Sequence, residues 1–226
     1  MNPFHSESPV NPLPAVIWVL AAALALPELA FLLGGSLGGN SAEAMRINAI
    51  QLTAWIPDLA LHGPLSALHF EQFYRLLAYS FVSASGMGTL FVLAFTLALG
   101  KAVGSVFSQW AVAAIFIGSA LGGALVYTLF AALPGQPRLA LIGGYPAAYG
   151  MIGAFTWLLW MRLRAGGDNP ARAFLLIGTL ILFQLAFAIL YRSLPSDLVA
   201  EFAGFATGFF LSFLVAPGGW KRLRHR

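Results

Sequence analysis

GGYPAAYGMIGA, residues 143–154, and EFAGFATG, residues 201–208, are the two stretches on which the fold turns. In each, small residues recur at helical spacing: Gly150 and Gly153 in the first, and Gly204 and Gly208 as a GxxxG pair in the second. Such positions let two helix backbones approach closely, and in lipid that contact is a main source of helix association. The only charge in either stretch is Glu201. The whole chain of 226 residues is 59% hydrophobic and only 9% charged, against about 25% charged in an ordinary soluble domain. It is therefore assigned to a bilayer.

Outward from these stretches, six apolar runs are long enough to cross the hydrocarbon layer, for which a helix needs roughly 20 residues. They cover residues 13–33, 73–99, 106–133, 147–163, 173–190 and 198–216. None shows the period-two alternation of a membrane barrel, so the expected class is an all-α membrane protein with six transmembrane helices. With the N-terminus inside, Lys101, Arg162, Arg164, Arg172, Lys221, Arg222, Arg224 and Arg226 are cytoplasmic, and Arg46, Arg75, Arg138 and Arg192 lie outside. That distribution follows the positive-inside rule and predicts a multi-pass protein of the bacterial inner membrane with both termini cytoplasmic. The expected organisation is an N-terminal tail over 1–12, a membrane domain over 13–217 and a basic tail over 218–226.

The net charge of +4 does not point to nucleic acid, because the twelve Lys and Arg are dispersed or gathered at segment ends rather than forming one basic face. There is no cysteine, and His5, His62, His69 and His225 all lie outside the apolar runs, so no metal or cofactor is expected. No Lys or Arg precedes the first run, which therefore lacks the positive flank of a signal peptide and is expected to be retained.

Between the first two runs lies an outer loop over 34–72, a length at which loops usually carry structure or function. Within it, Ala44, Ile47, Ile50 and Trp55 are spaced to share a helix face. This predicts either an interfacial helix with Trp55 at headgroup depth or an amphipathic piece packed on the bundle. In the first run, Glu28 follows Pro27 at a depth where ionisable groups are costly. An outer-interface position or a structural hydrogen bond is the favoured reading of Glu28, over a proton relay.

Three motifs in order resemble the rhomboid family. The run from Glu71 to Gly104 resembles its second transmembrane segment, with Tyr74-Arg75 as the aromatic-Arg start and Gly100 as the closing glycine. GGYPAAYGMIGA resembles the fourth segment, where the family carries Gly-x-Ser-Gly, and EFAGFATG resembles the sixth, where a histidine precedes a GxxxG pair. The resemblance spans residues 13–217 and implies a six-helix bundle with a long first periplasmic loop. It also implies where a protease of this kind would keep its chemistry. The nucleophilic serine falls on Tyr145 and its following glycine on Pro146; the histidine base falls on Glu201; two histidines and an asparagine of the second segment fall on Ser83, Gly88 and Val92.

Serine hydrolysis needs a hydroxyl, a base within reach and donors for the oxyanion, and every one of those positions is altered here. The expected function is that of a pseudoprotease contacting the lipid bilayer and the transmembrane helices of client or complex proteins, in assembly, turnover or quality control. The alternative is an active intramembrane serine protease with unrecognised catalytic residues, Ser83 and Ser85 being the hydroxyls to test. Lys101 sits at the opposite end of its run, and a transporter would want a charged pathway that the runs lack. Two readings of Glu201 stand: its carboxylate pairs with the Tyr145 hydroxyl, or it faces the headgroups at the start of its helix.

Overall fold

A computed structural model describes residues 13–36, 41–62, 70–191 and 197–216. The tails expected over 1–12 and 218–226, parts of the 34–72 loop, and Arg192 lie outside the described residues. Among those described, the chain is helical: α1 (Ala15–Ser36), α2 (Ala42–Thr53), α3 (Pro57–His62), α4 (Phe70–Ala78), α5 (Gly86–Gly104), α6 (Gln109–Ala131), α7 (Tyr145–Gly166), α8 (Leu175–Tyr191) and α9 (Leu198–Val215). Serine starts three of them: the hydroxyls of Ser41, Ser85 and Ser108 accept from the backbone N–H of Ala44, Gly88 and Ala111 at 3.2–3.3 Å, satisfying donors that a helix end leaves open. Gly167, with φ of +78°, ends α7 in the left-handed conformation that glycine adopts without steric cost.

By length and composition α1, α5, α6 and α9 can each cross a membrane. The protein is a multi-pass, all-helical membrane protein. α7, although 22 residues long, is less apolar because it carries Tyr145, Tyr149, Arg162 and Arg164. It sits in the middle of the bundle, with residues 146–154 buried without a break, and so needs less lipid-compatible surface. α9 crosses it backbone to backbone. A methyl group on Gly204 would land on the Pro146 carbonyl, one on Gly208 on the backbone of Gly150, and one on Gly153 on the backbone of Phe205 and Phe209. α6 closes on the same seam, with Ser119 against Gly150 and Gly123 against Pro146. α1 packs on α5, Ile17 filling the notch over Gly100 and Pro14 the one over Gly104.

Two expectations require correction. The run over 73–99 is not one helix: α4 ends at Ala78, a 3-10 turn covers Tyr79–Phe81, and the chain is extended at Val82 before α5 begins at Gly86. The sequence SASG supplies the break, since Ser85 prefers to cap a helix and Gly86 weakens a helix interior. For the segment that carries Trp55, packing on the bundle is the one of the two readings that is found, but not with the expected face. Trp55 is 6% exposed, its indole Nε1 donates to Thr128 Oγ1 at 2.8 Å, and its backbone exchanges two hydrogen bonds with Leu141 at 2.8 and 3.1 Å. Beyond α2 the extended backbone needs partners, and the segment before α7 provides them; the pairing draws Trp55 among Tyr79, Tyr127 and Ala200. Ile47 remains 48% exposed while Ala44 and Ile50 are half-buried, so the expected common face does not form.

Candidate functional site

α5, α7 and α9 all begin at one end of the bundle, and the functional positions inferred from sequence gather there. Gly143 and Gly144 thread the chain into α7. Gly143 has φ of +96°, a conformation that L side chains rarely adopt, and its N–H donates to the Tyr79 carbonyl at 2.9 Å. A methyl on Gly144 would lie 2.6 Å from the Ser80 carbonyl oxygen and 2.9 Å from Val92 Cγ1. Val92 is fully buried behind this turn. Tyr145 is then the first residue of α7, and Pro146 follows where a missing N–H costs nothing.

Tyr145 turns toward α5. A methyl built on Gly88 would lie 3.5 Å from the Tyr145 hydroxyl oxygen, 3.5 Å from Ser83 Cβ and 3.4 Å from Ser85 Oγ. A methyl on Gly143 would lie 3.6 Å from Tyr145 Cδ2 and 3.8 Å from Ser83 Oγ. Tyr145, Ser83 and Gly88 therefore converge on one small volume that the bare Gly88 leaves open. Pro146 is buried in the seam, its carbonyl under Gly204.

Glu201 belongs to a different cluster. In the first turn of α9 and 5% exposed, it accepts a hydrogen bond from the Gln184 amide of α8, and Tyr149 of α7 is a further polar neighbour of its carboxylate. The pairing of Tyr145 with Glu201, one of the two sequence readings, is not the arrangement found, and neither is a carboxylate facing headgroups. Side chains on a helix lean toward its N-terminus, so Tyr149, one turn further along α7, reaches back to the level of Glu201 while Tyr145 overshoots toward α5. Gln184 and Tyr149 were both missed from sequence. The available signals were a lone amide inside the apolar run ILFQLAF and a second tyrosine four residues after the first.

A charged corner adjoins the site. Arg46 of α2 grips Glu28 of α1 with both ends of its guanidinium, NH1 to Oε2 at 2.9 Å and NH2 to Oε1 at 2.5 Å, and NH1 also donates to the Ser83 carbonyl at 3.0 Å. Thr89 of α5 donates to Glu28 Oε2 at 3.0 Å. Glu28 thus makes the structural hydrogen bond favoured over a relay. No group of three or more potential metal ligands occurs among the described residues.

The Rhomboid domain family matches residues 70–218, more than half of the chain. The chain belongs to the rhomboid family. A search of curated proteins finds no match. Rhomboids are of the intramembrane serine protease kind, and the match takes in α4 through α9 while α1, α2 and α3 precede it. At the start of α7 and α9 in this rhomboid, a phenol faces α5 and a carboxylate is hydrogen-bonded to Gln184 of α8. None of the four histidines lies in α5, α7, α8 or α9, and a hydroxyl without an adjacent base is a weak nucleophile near neutral pH.

Proposed function

We propose that this rhomboid is a pseudoprotease that binds transmembrane helices of client or complex proteins, in assembly, turnover or quality control, without cleaving them. The observation that carries the reading is the separation of Tyr145 from Glu201. The two residues that stand where nucleophile and base are expected make no hydrogen bond to each other, and each has other neighbours. Ser83 and Gly88 stand where the family's two histidines would be, so the side-chain donors for an oxyanion are reduced to one hydroxyl. Pro146, replacing a glycine, has no N–H to contribute there either.

In this reading α7 and α8 cross the membrane with α1, α5, α6 and α9, completing six spans. α7 is long enough at 22 residues, or about 33 Å at 1.5 Å per residue. The site end faces the periplasm, α2 and α3 lie on that side, and both termini are in the cytoplasm of a bacterial inner membrane.

The test is capture and cleavage measured side by side in native membranes. Crosslinking followed by mass spectrometry is expected to recover intact membrane proteins, and a serine-directed fluorophosphonate probe with a generic rhomboid substrate is expected to show neither labelling nor cleavage. Labelling abolished by Ser83→Ala or Ser85→Ala would instead establish the active protease. Recovery of no partner under mild detergent would count against client binding.

A further inference from the structure

The geometry points to Arg46 as a positioning residue that, braced on Glu28, holds the 82–85 segment against Tyr145 and so shapes one wall of the site. The inference starts from a backbone problem. Between the 3-10 turn Tyr79–Phe81 and α5 the chain is extended at Val82 and bends through Ala84 and Ser85, and near a membrane such a non-helical segment must find hydrogen-bond partners outside itself. Ser83 is 6% exposed, and its carbonyl takes its hydrogen bond from Arg46. The Ser83 side chain points the other way, to Gly143, Gly88 and Tyr145. One residue therefore carries the link: its main chain is tied to α2 and its side chain lines the site.

Glu28 is what keeps Arg46 in place. The side chains of both are only 15% exposed, and the guanidinium engages the carboxylate in a fork that fixes direction as well as distance. Phe31, one turn along α1, stacks under the guanidinium at 5.0 Å from its ring centre. The carboxylate lies at the start of α5: a methyl on Gly86 would come 2.9 Å from Glu28 Oε1, and Thr89 donates to it. A negative charge there complements the open N–H groups and dipole of α5. Four elements, α1, α2, the 82–85 segment and α5, thus meet on one ion pair. All of these contacts lie outside the seam of α6, α7 and α9 that holds the bundle together. Removing the pair is expected to loosen the wall of the site more than the bundle. That the wall matters to clients rests on the function proposed above; that Arg46 holds it does not.

The chain has no cysteine, so single cysteines report local opening without background. Val82, 6% exposed, reports on the segment, and Ala131, fully buried at the end of α6, reports on the bundle. Maleimide labelling of V82C and A131C is measured in otherwise native protein and with R46A or R46K. In R46A the ratio of V82C to A131C labelling is expected to rise by about tenfold or more, because an unpaired buried Glu28 favours local opening. In R46K the rise is expected to be smaller, since an ammonium keeps the charge but not the fork. An equal rise at both positions would mean a role in overall stability only, and no rise at either would mean no role; each overturns the inference. Client capture with R46A separates the two proposals. Capture by native protein that R46A weakens supports both, and capture unaffected by R46A overturns the link to clients. No capture by native protein sinks client binding, while the labelling ratio still decides the role of Arg46.

Discussion

The seam between α7 and α9 and the corner where α1, α2 and α5 meet lie at the same end of the bundle but are held by opposite means. In the seam, Gly204 and Gly208 let backbone lie on backbone, and no side chain stands between the helices at those points. In the corner, long side chains span the gap, and the contact is a forked ion pair with two further hydrogen bonds. A seam of backbone contacts leaves no slack, because nothing flexible can move aside. A charge pair holds direction across a distance, yet becomes a liability as soon as one partner is lost. The seam is thus suited to fixing the bundle, the corner to setting the position of one short non-helical segment beside the site.

The difference is broken most severely at the seam. Gly208→Val is expected to lower unfolding free energy in detergent by about 3 kcal/mol or more, the upper end of overpacking costs, since backbone rather than a side chain must yield. A loss under 1 kcal/mol would show that the helices can separate there at little cost. At the corner, Arg46→Leu is expected to lower unfolding free energy by about 1 kcal/mol, since the loss goes mainly into local opening, whereas Arg46→Leu combined with Glu28→Leu should recover most of that, because no charge is then left unpaired. The double-mutant cycle measures it, and strictly additive losses would remove the ion pair as the cause. The smallest effect, with opposite sign, is expected on α8. Nothing lies within 4 Å of where a methyl on Gly178 would stand, so Gly178→Ala should stabilise by about 0.5–1 kcal/mol through helix propensity alone.

Much of the bundle was readable because its signals are local. Long apolar runs follow from the thickness of the bilayer, and small residues three and four apart share a helix face whatever surrounds them. The second run misled for an equally local reason: its hydropathy stays high through SFVSASG while the caps break the helix within it. Two readings of Trp55 stayed open because its partners, Thr128 and Leu141, lie 73 and 86 positions away. Amphipathic spacing says which residues prefer burial and nothing about what will bury them.

The site divides along the same line. Tyr145, Pro146 and Glu201 were picked out by the order of motifs, and the resemblance that aligns them with catalytic positions puts neither serine nor histidine there. Which tyrosine meets Glu201 depended on how α7 is rotated against α9, a matter of less than one helical turn that the Gly204 and Gly208 contacts decide. The sequence by itself determined the solvent and the helical class, because composition and short spacings carry those. Only the tertiary structure decided that Glu201 turns to Gln184 and Tyr149, and that Glu28 and Arg46, 18 residues apart, close on each other beside Ser83. A charge buried near lipid takes whichever partner the packing of backbones brings within reach.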